Sequence, residues 1–141
     1  MMDITTGLDF ARKYRNGVLA TIKRDGRPQL SNIIYVVSDD GEIRISITAN
    51  RAKYFNIVRD ARVSLHISQD DFWSYVVFEG DAVLSPVSAN PNDATVDELV
   101  DVYQKMSGEH SDWDDYRAAM VNDRRTVLHL RPAKAYGMIL A

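Results

Sequence analysis

The chain is 141 residues long, 45% hydrophobic and 26% charged, with a formal net charge of -3. That is the size of one domain with a buried core. It is neither polar enough for disorder nor basic enough for non-specific nucleic-acid binding, so a small molecule or a protein is the expected partner. There is no cysteine, which excludes disulfide frameworks, thiolate nucleophiles and cysteine-rich zinc sites and fits a reducing compartment.

Met1 to Tyr14 holds no apolar core behind a basic region, and no later stretch is long enough to cross a bilayer. A soluble, cytoplasmic protein with no membrane partner is expected. Thr5 or Thr6 can cap a first helix running to Tyr14, with Gly17 placed to end it. The period then changes to two. Val18, Ala20 and Ile22 share one face of a strand to Lys23, Asp25-Gly26 supplies a tight hairpin, and the partner strand runs from Pro28 to Val37. After the turn at Ser38 to Gly41, Ile43, Ile45 and Ile47 alternate with Arg44, Ser46 and Thr48 in a half-buried strand over Glu42 to Thr48.

A short helix from about Arg51 to Arg59 leads to a strand over Val63 to Ile67. Gln69-Asp70-Asp71 turns the chain into Phe72 to Leu84, bent near Glu79-Gly80, where a glycine inside a strand marks a bulge. The polar run Ser85 to Asn92 reads as an internal connection. Thr95-Val96-Asp97-Glu98 has the form of a capping box, followed by Leu99, Val102, Tyr103 and Met106 on one helical face up to Gly108. Ser111 begins a second such helix, with Trp113, Tyr116 and Met120 as its stripe, and Thr126 to Leu130 and Ala133 to Ile139 read as final strands. About six short antiparallel strands with a few helices imply a closed or split barrel, mainly β with flanking helices, as one domain over residues 1–141.

No glycine-rich loop joins a strand to a helix, so neither a Walker cradle nor a dinucleotide fingerprint is present. His66, His110 and His129 have no carboxylate or histidine at metal-ligand spacing and read as structural or surface residues, with no metal expected. No nucleophile-elbow motif supports a hydrolase, although triad partners meet only in the fold. Thr48-Ala49-Asn50-Arg51-Ala52-Lys53 is the most informative stretch. A strand ends and a helix starts there, the free N–H groups of a helix start favour an anion, and Arg51 and Lys53 add a fork-shaped donor and a point charge. A phosphate is the matching group; the plainer alternative is two solvated cations on a short helix. Gln29, Ser31 and Asn32 offer amide and hydroxyl groups to a heterocycle's edge, or simply open a strand in water. Phe72-Trp73-Ser74-Tyr75 puts aromatics beside a turn, where they stack on a planar ligand, fill a subunit interface or pack inward.

Six stretches in order carry a family likeness. They are Gly17 to Thr21, Asp25 to Asn32, Arg51-Ala52-Lys53, Arg59 to Leu65, Trp73-Ser74-Tyr75-Val76 with Glu79-Gly80, and Gly108 to Arg117. In these the chain resembles the pyridoxamine-5'-phosphate-oxidase-like split-barrel family, and especially its branch that uses the deazaflavin coenzyme F420. The resemblance implies a homodimer of FMN-binding-type split barrels with a cofactor groove at the subunit interface. It implies that Arg51 and Lys53, with Ala52 between them, hold the cofactor phosphate. Gln29, Leu30, Ser31 and Asn32 would line the ring system and Ile47 and Thr48 the ribityl chain, while Trp73 and Tyr75 would reach in from the other subunit. It further implies hydride transfer between F420 and a small unsaturated molecule, with water, Lys53 or Tyr75 as proton source. An FMN-dependent oxidase of pyridoxamine-phosphate type and a non-catalytic cofactor-binding module are the alternatives.

Overall fold

The computed structural model describes residues 1–140. Helix α1 (Ile4–Ala11) has Asp3 at its N-cap, with no side-chain hydrogen bond there, and Arg12 as its C-cap. It is thus shorter than the helix predicted to Tyr14, and Thr5 and Thr6 lie inside its first turn. Strands β1 (Asn16–Ile22) and β2 (Pro28–Ile34) form the predicted hairpin, in register from Asn16 opposite Ile34 to Ile22 opposite Pro28.

The strand predicted from Pro28 to Val37 is broken. Strand β2 stops at Ile34, and β3 (Val36–Val37) resumes beside β4 (Ile43–Thr48). Tyr35 occupies the break because its polar atoms serve another element. Its hydroxyl donates to the Ala11 carbonyl at 2.6 Å, where the ring is 1% exposed, and its N–H donates to the Arg15 carbonyl. Burial, with Tyr14 beside it, pushes the phenol well above the usual tyrosine range, so it remains a donor. Tyr35→Phe is expected to lower stability by about 1 kcal/mol, seen as a lower urea midpoint at unchanged slope.

Helix α2 (Ala52–Arg59) leads to β5 (Arg62–Ser68) and the long β6 (Tyr75–Leu84), which starts three residues later than the predicted Phe72. Helices α3 (Ala94–Ser107) and α4 (Trp113–Asn122) precede β7 (Arg125–Leu130) and β8 (Lys134–Met138). The eight strands form one antiparallel sheet in the order β2-β1-β5-β6-β7-β4-β3, with β8 added to β6. Strand β6 changes partner near the predicted bend: Tyr75 to Asp81 pair with β5, and Ala82 to Leu84 pair with β7. This curls the sheet into the split barrel that the sequence implied.

The core lies inside that curl. Ile43, Ile45 and Ile47 of β4 and Val63, Leu65 and Ile67 of β5 point inward at period two and meet Leu19, Tyr35, Val76 and Phe78. A second cluster of Val96, Leu99, Met120 and Val127 fixes α3 and α4 against the opposite face of β7, which is therefore buried on both sides. The caps differ from those predicted. Asp93, not Thr95, caps α3 by accepting the Val96 N–H at 2.9 Å, while the Thr95 hydroxyl donates to the Pro86 carbonyl. Asp112, not Ser111, caps α4 by accepting the Asp115 N–H at 3.1 Å.

Candidate functional site

A cleft of about 1250 Å³ opens where β1, β2 and β4 face the start of α2, the end of β5 and one side of the α3–α4 pair. Of the residues singled out in the sequence, Asn32, Ile47, Thr48, Arg51 and Lys53 line it, and so does Phe72 from the aromatic run beside the turn. Arg51 is the N-cap of α2, with φ -96° and ψ 156° and no side-chain cap; its own N–H donates to the Thr48 carbonyl and the Tyr54 N–H to the Arg51 carbonyl, which leaves the N–H groups of Ala52 and Lys53 without a side-chain acceptor. The Lys53 ammonium is held below the usual lysine range, first by burial and then by the charges of Arg51 and Arg125.

Arg125 is the site residue that the sequence reading missed. It stands directly opposite Thr48 in the β4–β7 ladder and lines the same cleft. Its Nη1 reaches the Ser46 carbonyl and hydroxyl only at 3.5 and 3.4 Å, and its Nε is buried with no hydrogen-bond partner. The predicted strand began one residue later, at Thr126, and only cross-strand register brings Arg125 to the start of α2. Among the described residues Arg51, Lys53 and Arg125 form no ion pair, as is also true of exposed cations such as Lys23 and Arg27; what sets the three apart is that they line one cleft. Three cations around one cleft repel one another, and one of them carries a buried donor with no partner, so positive potential accumulates there.

Other lining groups come from different elements. Asn16, Asn32, His66, Ser68 and Gln69 contribute amide, imidazole and hydroxyl groups from β1, β2, β5 and the turn after it. Tyr103, Met106, Tyr116 and Met120 give an aromatic and thioether wall from α3 and α4. Burial pushes the Tyr116 phenol up to about 12, and its hydroxyl donates to the Leu99 carbonyl at 3.0 Å, which ties the two helices together.

Six of the singled-out residues do not line this cleft: Gln29, Leu30, Ser31, Ala52, Trp73 and Tyr75. Gln29 Oε1 accepts from the Asn56 amide at 2.7 Å, and Asn56 also donates to Thr21. Leu30 and Trp73 point into solvent, 65% and 69% exposed. The Tyr75 ring stacks on His66, with centroids 5.5 Å apart. Of the side chains named for proton delivery, Lys53 therefore faces the cleft and Tyr75 stands behind His66.

A smaller hollow of about 410 Å³ lies elsewhere, lined by Glu42, Ser85, His129 and Arg131. His129, which has no carboxylate near it in sequence, meets Glu42 through Nδ1 at 2.6 Å and Ser85 through Nε2 at 2.9 Å. The Ser85 hydroxyl also donates to Glu98 of α3, so the cluster braces α3 against β4 and β7. Burial works to raise the Glu42 pKa, but hydrogen bonds from His129 and Arg44 and their charges outweigh it and leave the carboxyl below its ordinary value. A carboxylate with a lowered folded-state pKa adds stability above the unfolded pKa and loses it as pH falls through the folded one. Stability is therefore expected to drop from about pH 4 downward. Glu42→Gln should be less stable by about 1–2 kcal/mol at pH 7 and lose less on acidification, as read from urea midpoints at both pH values.

A family model described as pyridoxamine 5'-phosphate oxidase matches residues 8–139. Among solved structures, the conserved hypothetical protein Rv2991 from Mycobacterium tuberculosis is 28% identical with a TM-score of 0.75, the match covering 97% of this chain and 84% of that one. A protein described as an F420 reductase is 24% identical, TM-score 0.63, covering 86% of this chain and 89% of that one. A putative pyridoxamine 5'-phosphate oxidase from Listeria innocua is 17% identical, TM-score 0.64, covering 96% and 94%. The last two likenesses are ones of fold.

Proposed function

The chain belongs to the pyridoxamine 5'-phosphate oxidase family, and from that premise we propose that it is an oxidoreductase binding coenzyme F420 in the cleft. On this proposal residues 1–141 make up one such domain, which acts on a small unsaturated organic molecule. The observation that carries it is the meeting of Arg51, Lys53 and Arg125, unpaired with any carboxylate among the described residues, at the start of α2. These groups fit the phosphate of a flavin-type cofactor: a fork-shaped donor, a point charge and a buried Nε with spare capacity. When bound, the cofactor supplies the hydride-transfer chemistry.

The chain's own side chains then bind and orient. Arg51, Lys53 and Arg125 hold the anionic end, and Ile47 and Thr48 lie beside the connecting chain. Asn32 meets the ring system, with Leu30 and Ser31 next to it on β2, while Gln29 braces the strand through Asn56. The wall of Tyr103, Met106, Tyr116 and Met120 covers the apolar part of what lies in the cleft and keeps water from it. Exposed Leu30, Phe55, Val58 and Trp73 offer apolar surface to a second copy, and the reading includes a homodimer in which Trp73 reaches the partner's cleft.

The test is parallel titration of the cofactor-free protein with F420 and FMN, followed by tryptophan fluorescence, with the mass in solution measured alongside. Selective F420 binding is expected. Preference for FMN moves the protein to the oxidase reading, and binding of neither removes the cofactor reading.

A further inference from the structure

The turn between β5 and β6 holds a residue that packing does not explain. Phe72 has φ of 67°, in the left-handed region that bulky side chains avoid. It is 77% exposed and belongs to neither buried cluster, yet it lines the cleft. The turn around it is fastened on several sides. The Gln69 N–H donates to the Ser74 carbonyl at 2.8 Å, and the Phe72 N–H donates to the Gln69 carbonyl at 2.9 Å. Asp71 accepts from the Trp73 N–H at 3.0 Å and from the Gln69 amide at 3.2 Å, and Ser74 Oγ accepts from the Leu140 N–H at 3.0 Å.

These bonds hold an apolar ring at the cleft in a conformation that glycine adopts without cost. Strained backbone that its surroundings maintain is a feature of ligand clamps. Aromatic rings gain most from offset stacking on flat partners, and a ring carried on fastened backbone has only its own side-chain rotation to lose when one arrives. We propose that Phe72 covers the planar ring of the ligand in its own chain's cleft and so selects for flat, conjugated ligands. This rests on the cofactor reading above.

The experiment compares wild type, Phe72→Gly and Phe72→Tyr by titration with FMN and F420 and with the corresponding phosphate-free compounds, riboflavin and its deazaflavin counterpart. Melting temperature and mass in solution are recorded for each. Glycine suits the backbone angle, so Phe72→Gly should melt no lower than wild type while binding about tenfold more weakly. The loss should be the same factor with and without the phosphate, because it acts on the ring, and Phe72→Tyr should bind within about threefold of wild type. Unchanged affinity in Phe72→Gly would overturn the proposal while leaving the cofactor reading standing. A change of mass with unchanged affinity would make Phe72 an interface residue, and also overturn it. Wild type that binds none of the four compounds overturns the cofactor reading and this proposal together.

Discussion

Lys53→Ala is expected to weaken binding of the phosphate-bearing cofactor by about 10–100-fold, the effect of removing one charge-assisted hydrogen bond from a shielded site. Its apo stability should not fall. Lys53 is held below the ordinary lysine range by burial first, then by Arg51 and Arg125. A lysine whose folded-state pKa is depressed destabilises the fold while charged, and that penalty fades as pH rises through the folded value. Alanine removes the penalty at neutral pH, so affinity and stability separate, as they do at residues kept for binding. The same shift sets a pH profile: affinity should decline with rising pH earlier than an exposed lysine would cause, whereas Lys53→Arg should hold it flat. Arg125→Ala should cost affinity of similar size. Calorimetric titration at three pH values checks the affinities and urea unfolding of the cofactor-free proteins checks the stability, and equal affinity in wild type and Lys53→Ala would remove Lys53 from the site.

The second large effect is structural. At Gly137 φ is 149°, and a Cβ added there would lie 2.2 Å from the Tyr75 carbonyl oxygen. Tyr75 belongs to the ladder that pairs β8 with β6, so the clash is with backbone that cannot yield without parting the two strands. Gly137→Ala is expected to cost about 2–4 kcal/mol, and to loosen β8 together with the bridge between Met2 and Ala135. Gly26→Ala is the control. It has φ of 87° with open space around the added Cβ, so only the backbone term remains, about 1 kcal/mol. Because Tyr75 stacks on His66 at the cleft, Gly137→Ala should also broaden the His66 ring resonances in NMR spectra while Gly26→Ala leaves them sharp.

Periodicity carried most of the fold. Ile43, Ile45, Ile47 and Val63, Leu65, Ile67 are inward at alternate positions because one face of each strand is buried, and that is what a period of two records. The turn at Asp25-Gly26 and the helix start at Arg51 were legible for similarly local reasons. What escaped depended on distant partners. Tyr35 breaks a strand because its hydroxyl has a use at Ala11. Thr95 and Asp93 are both good caps, and the choice between them turned on Pro86 accepting from the Thr95 hydroxyl. Arg125 reached the cleft only through a register in which it faces Thr48, which no window around Arg125 contains.

Beyond the short pairing with β3, strand β4 takes its full-length ladder partner from β7, late in the chain, and β6 joins β5, β7 and β8. During synthesis, then, the isoleucines of β4 emerge long before the segment that closes over them. The hairpin of β1 and β2 can form early from neighbouring residues, but the curl waits for residues beyond Arg125. Long-range pairing of this kind slows folding and keeps apolar strand faces in water for its duration. A nascent chain cut short before β7 should be found with chaperones, and folding should finish only once the last strands have left the ribosome.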